Sequence, residues 1–208
     1  MKKYLSLFLS FSLLFTIAAC SREEPLSELE AIQKQLAEME GYTCTATLTR
    51  TNERGEQTYE TKQYCKSTGE YRLELTAPEN VAGNYTVFDG ERICQYNPRL
   101  DSSIIRDIPE SQHRNELFLS QFIQNYMQSE GVSVETAALD ESRCIVLEAI
   151  IPGNDAALAS EKLWVDRESL LPVRFVIYDA EGEERYSMDY SSFEFDPQFD
   201  DALFTIEE

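Results

Sequence analysis

Residues able to do chemistry are scarce in this chain. There is one histidine, His113, set in Ser111-Gln112-His113-Arg114, and a general base at that position needs a nucleophile or a metal within reach. No Ser, Cys or ligand partner stands near it at motif spacing, and the chain has no Gly-x-Ser-x-Gly, no His-Glu-x-x-His and no glycine-rich phosphate loop. Carboxylates are abundant, 38 Asp and Glu against 18 Lys and Arg, which weakens the case for any particular pair. The run Asp196-Pro197-Gln198-Phe199-Asp200-Asp201 offers oxygen ligands for calcium but lacks the glycine and the terminal glutamate of an EF-hand loop, so it reads as a solvated acidic turn. Cys44, Cys65, Cys94 and Cys144 show no Cys-x-x-Cys spacing for a metal or a redox pair. Trp164 and the other aromatics read as core residues. These observations predict no catalytic residue, no metal site and no cofactor, and point to a protein that works by binding.

The fifth cysteine, Cys20, is different because of what precedes it. Lys2-Lys3 is a short basic region, and Leu5 to Ile17 is an apolar run interrupted only by Ser and Thr, too short to span a bilayer as a permanent helix. It ends in Ile17-Ala18-Ala19-Cys20, which looks like a bacterial lipobox, where small residues admit a signal peptidase and the cysteine carries diacylglycerol. The expected organisation is a lipoprotein signal peptide over 1–19, a lipidated Cys20 with a tether over 20–26, and a single domain over 27–208. Two acyl chains would hold it firmly to a membrane, at about 0.8 kcal/mol per buried methylene.

Removal of residues 1–19 takes Lys2 and Lys3 with it and moves the formal charge from −20 to −22. That charge repels nucleic acid and anionic lipid alike and favours a protein partner with a cationic patch.

The elements that must position any binding surface follow from periodicity. Ser27-Glu28-Leu29-Glu30 is a capping box, and Leu29, Ile32, Leu36 and Met39 recur at helical spacing behind it. Period-2 alternation then predicts strands over 42–51, 57–66, 71–76, the hairpin Thr86–Pro98, and 102–107. A second helix is expected over roughly 115–129, with Phe118, Phe122 and Tyr126 stacked at i, i+4, i+8 as a broad apolar face for a core or a cavity. Strands resume over 132–138, 143–151, 161–166, 173–178 and 184–195. About ten strands joined by short turns, with no regular βαβ alternation, predict an α+β fold built on a curved antiparallel sheet. In the hairpin, Asp89-Gly90 is expected as a two-residue turn that sets Tyr85 opposite Cys94. If Asn52 lies opposite Gln57, Cys44 falls opposite Cys65 within bridging distance, so this pair is the candidate disulfide.

The order of capped helix, Thr-rich strand, GEYRLEL with TAPEN, and then TVFDGERICQYNP resembles the LolA-like lipoprotein-carrier superfamily. LWVDRESLLPVRFVIYDAEGEERYSMDYSSFEF and the closing ALFTIEE are similar too, so the resemblance covers nearly all of the chain beyond the leader. It implies a half-barrel sheet whose concave side is covered by helices around an apolar cavity, used by carriers to shelter acyl chains. Two features depart from the carriers: Cys20 tethers the chain, and Lys66-Ser67-Thr68-Gly69 stands where carriers place an Arg-Pro pair. Ser120-Gln121-Phe122-Ile123-Gln124-Asn125-Tyr126-Met127-Gln128-Ser129-Glu130, with the lipobox, looks like the germination lipoproteins (GerS-like) of spore-forming anaerobes. That resemblance implies a non-enzymatic, membrane-anchored partner of the N-acetylmuramoyl-L-alanine amidase that modifies spore-cortex peptidoglycan, located on the extracytoplasmic face in the spore intermembrane space. The alternative it implies is a carrier or sensor of lipid or lipoprotein acyl chains. A half-barrel also leaves sheet edges unpaired, so a homodimer through those edges or by strand exchange is a further expectation.

Overall fold

The structure, a computed structural model, describes residues 27–109, 115–128, 133–139, 142–153 and 155–207. The expected signal peptide and tether, with Cys20, and His113 lie outside the described residues.

Helix α1 spans Glu28–Glu38 and starts as its sequence requires: the Glu30 backbone N–H donates to the Ser27 hydroxyl, and the Glu30 carboxylate accepts from the Ser27 backbone N–H at 2.8 Å. Ile32, Leu36 and Met39 are buried. The chain then enters β1 at Gly41, where a Cβ would stand 2.6 Å from the Cys65 carbonyl oxygen and 2.8 Å from the Phe199 ring, so only glycine fits.

Among the described residues eleven strands follow: β1 Gly41–Asn52, β2 Gly55–Lys66, β3 Tyr71–Ala77, β4 Tyr85–Phe88, β5 Arg92–Asn97, β6 Ser102–Asp107, β7 Ser133–Leu139, β8 Ser142–Ile150, β9 Ser160–Asp166, β10 Pro172–Tyr178 and β11 Glu184–Phe195. Helix α2, Leu119–Gln128, lies between β6 and β7 in the chain. The strands form one open antiparallel sheet in the order β6-β5-β4-β3-β2-β1-β11-β10-β9-β8-β7. It is two meanders, β1 to β6 and β7 to β11, joined where β1 pairs with β11. The two edges, β6 and β7, flank α2 in sequence, so the helix sits on the connection that passes from one side of the sheet to the other.

The contacts of α2 prove the curvature. The Phe118 ring stacks on Tyr71 of β3 at 4.1 Å, and the Leu119 backbone N–H donates to the Tyr42 hydroxyl of β1 at 3.2 Å. Phe122 meets Phe175 of β10 edge-on at 5.7 Å, and Asn125 bonds Glu161 of β9 at 2.8 Å. From β3 to β9 is five strand spacings, about 24 Å across a flat sheet. From Phe118 to Asn125 is only about 11 Å of helix. The sheet therefore wraps around the helix.

Register differs from the expectation at both hairpins, each time by two residues. Asn52 pairs with Gly55, because the Asn52 side chain accepts from the Arg54 N–H at 2.8 Å and Gly55 takes the positive φ of +109°. Cys44 is then opposite Gln63 and Cys65 opposite Tyr42, and both cysteines are buried free thiols, diagonal neighbours on one face. At the second hairpin the Asp89 N–H donates to the Arg92 carbonyl, and the Asp89 carboxylate accepts from the N–H groups of Glu91 and Arg92. The turn is Gly90-Glu91, so Val87 faces Cys94 and Tyr85 faces Tyr96, their rings 4.9 Å apart.

Candidate binding faces of the sheet

The concave side has a filled half and an open half. Under α2, Phe118, Phe122 and Tyr126 are 3%, 0% and 6% exposed. The apolar stripe expected to face a core or a cavity is thus itself packed core: Phe122 lies between Tyr126 and Phe175, and Phe118 covers Tyr71. The Tyr126 hydroxyl accepts from the Gln33 amide at 2.8 Å, which ties α2 to α1. Burial of each of these rings contributes on the order of 1.5–3 kcal/mol.

Polar groups sealed beneath the helix fix its position. Tyr42, on the central strand, is fully buried; its hydroxyl accepts from the Leu119 N–H and donates to Gln63 Oε1 at 3.4 Å, and the Gln63 amide points at the Met188 sulfur at 3.2 Å. Glu161 is fully buried as well, with Oε1 accepting from Asn125 Nδ2 and Oε2 without a hydrogen-bond partner. Burial pushes its carboxyl up from the ordinary 4.5 to about 7; the Asn125 hydrogen bond opposes this, and the Glu116 charge adds to it. Sequence reasoning missed Glu161. The signal was present, since Glu161 is in phase with Leu163 and Val165 on the buried side of β9.

The open half lies over β3 to β6, beyond the reach of α2. Leu73, Leu75, Thr86 and Ile104 line a groove of about 390 Å³ there, with Leu100 at its end of the sheet. Leu100 is 72% and Ile104 54% exposed, and every residue of the edge strand β6 is exposed.

The acidic stretch 196–201 is a set of caps. Asp196 accepts from the Glu40 and Gly41 N–H groups at 2.7 and 3.1 Å, Asp200 caps the short 3-10 turn Asp201–Phe204 through the Ala202 N–H, and Asp201 lies 3.8 Å from Lys66. Among the described residues no group of three or more His, Cys, Asp or Glu side chains gathers to hold a metal, and no helix is long and apolar enough to cross a membrane. Burial raises the thiol pKa of both Cys44 and Cys65, which keeps them protonated and unreactive.

Over residues 1–204 the chain matches the sporulation protein YdcC-like family. It belongs to that family. No curated protein matches this YdcC-like chain. Among solved structures it is similar to an uncharacterized conserved protein from Thermus thermophilus, at 15% identity and a TM-score of 0.53, covering 88% of this chain and 96% of that one. It is also similar to a chain in the complex of the CwlD amidase from Clostridioides difficile with the GerS lipoprotein, at 26% identity and a TM-score of 0.49, covering 83% and 98%. A third is the LolA superfamily protein NE2245 from Nitrosomonas europaea, at 15% identity and a TM-score of 0.43, covering 88% and 99%. The described residues of the YdcC-like chain form an open antiparallel sheet of eleven strands with two α-helices packed on its concave side.

Proposed function

We propose that this protein is a non-enzymatic lipoprotein, held at an extracytoplasmic membrane face through Cys20, that binds and activates an amidase of spore-cortex peptidoglycan. The observation that carries the reading is the filled half of the concave face: Phe118, Phe122 and Tyr126 are packed into the space beneath α2 where an acyl chain would otherwise lie. Membership of a sporulation family supports the setting. The partner class is that of GerS, described in complex with CwlD, and comes to this chain through shared sequence, 26% identity over 83% of its length. The mature chain, co-expressed with candidate cortex amidases, is expected to form a complex that survives size-exclusion chromatography and raises muropeptide cleavage. Absence of any complex refutes the reading.

The alternative, a carrier or sensor of lipid or lipoprotein acyl chains, draws on the open apolar groove over β3 to β6. Co-purified lipid that acyl probes displace, in the absence of an amidase complex, selects it instead.

A further inference from the structure

A groove on the outer side of the sheet serves neither reading. The C-terminal segment crosses β2, β1 and β11 there and encloses about 500 Å³, within the range of small-ligand sites. Hydroxyls of Thr43 and Thr45 from β1 and of Ser192 from β11 line it, together with the half-buried rings of Tyr64 and Phe199. The hydroxyl row is already ordered: Thr45 Oγ1 lies 2.7 Å from Ser192 Oγ, and Thr43 Oγ1 donates to the Gln63 carbonyl, leaving its lone pairs as acceptors. Lys62 is held with its ammonium 4.9 Å from the centre of the Tyr64 ring.

The lining selects a ligand class by exclusion. Its charged residues, Lys62 and Glu194, are of opposite sign, so the groove has no net field for a polyanion, which the charge of the whole chain also repels. An acyl chain could cover Pro197, Phe199 and Leu203 but would strip the Thr43, Thr45 and Ser192 hydroxyls of water without replacing a hydrogen bond, which offsets that gain. A sugar ring suits both parts: its C–H face packs on an aromatic ring, and its hydroxyls both donate and accept. We propose that this groove is a saccharide-binding site that takes a short stretch of a glycan chain, with Tyr64 as the stacking platform and Thr43, Thr45 and Ser192 as its polar floor. The proposal stands on the groove alone, so a failed amidase complex leaves it untouched and its own failure leaves the amidase reading untouched.

The test is a titration of the isotope-labelled mature chain with tetra-N-acetylchitotetraose and, separately, maltotetraose, followed by amide NMR shifts. Saturable shifts are expected at residues 43–45, 62–64 and 192–194 with at least one sugar. Tyr64→Ala should weaken binding about tenfold, the loss of one ring contact, while Tyr64→Phe keeps it. Ser192→Lys, which adds bulk at an exposed position, should abolish the shifts without lowering the melting temperature. No saturable shift with either sugar overturns the proposal. So do shifts centred on the concave face of β3 to β6, or a Ser192→Lys variant that binds as the unaltered protein does.

Discussion

Replacing Glu161 by Gln tests the buried arrangement beneath α2 most directly. In the folded protein the Glu161 carboxyl titrates near 7, against 4.5 ordinarily, because it is sealed from water with one oxygen unpartnered. Between those values the folded state keeps a proton that the unfolded chain has released. Stability from this group is therefore complete below about pH 4.5 and is lost as pH rises through about 7, with a slope near 1.4 kcal/mol per pH unit. The shift of about 2.5 units amounts to about 3 kcal/mol, of which about 2–3 kcal/mol is lost between about pH 5 and about pH 8. Glu161→Gln conserves volume, still accepts from Asn125 and cannot ionise. Urea unfolding of both proteins across that interval isolates the one carboxyl, because every other charge is common to the pair. The stability difference should move toward the variant by about 2–3 kcal/mol from about pH 5 to about pH 8, whatever constant offset the amide introduces. Parallel profiles refute the reasoning and would mean that the carboxyl ionises in the fold as freely as in the unfolded chain.

Other expectations follow from the same contacts. Phe122→Ala should lower unfolding free energy by about 3–5 kcal/mol in urea titrations, since the ring is enclosed by Tyr126 and Phe175; a loss below about 1 kcal/mol would indicate an empty cavity around it. Ser27→Ala should cost about 1 kcal/mol through loss of the α1 cap, read from the same titrations. Alkylation of the native protein at about pH 8 should spare Cys44 and Cys65, and both should react after denaturation without reductant; a pair that stays unmodified until reduced would be a disulfide. Cys20→Ala should move the protein from membrane to soluble fractions, and unchanged retention counts against the anchor.

The sequence was most informative where structure is set locally. The Ser27 capping box, the strand from Ser102 to Asp107 and the one from Glu184 to Phe195 appear in the structure as their residues dictate. Faces were legible too, because a period of two assigns each side chain to a side. Register was not, since a slip of two residues leaves every side chain on its own face: Cys44 against Gln63 or Cys65 satisfies the same pattern. What decided it were side-chain caps, Asn52 on Arg54 and Asp89 on Arg92, together with where glycine could supply positive φ. The second helix begins at Leu119, four residues later than expected, after a turn in which the Phe118 N–H donates to the Asn115 carbonyl. Pairing of β1 with β11 has no local signature at all, since its partners are about 150 residues apart in the chain and meet only through the shared core. The outer groove was illegible for the same reason, because Tyr64 and Phe199 are brought together only by that long-range closure.

The place of β1 has a mechanical consequence. It is the sixth strand of eleven, paired along its length to β2 on one side and β11 on the other. Tension arriving from residues ahead of Ser27 passes through α1 into this strand. There it pulls along the strand direction against two ladders at once, a shearing geometry in which many hydrogen bonds share the load. A tether feeding β6 or β7 would instead peel the sheet open one bond at a time. A domain held from its first residues is thus gripped at its strongest line, and both free edges remain unloaded.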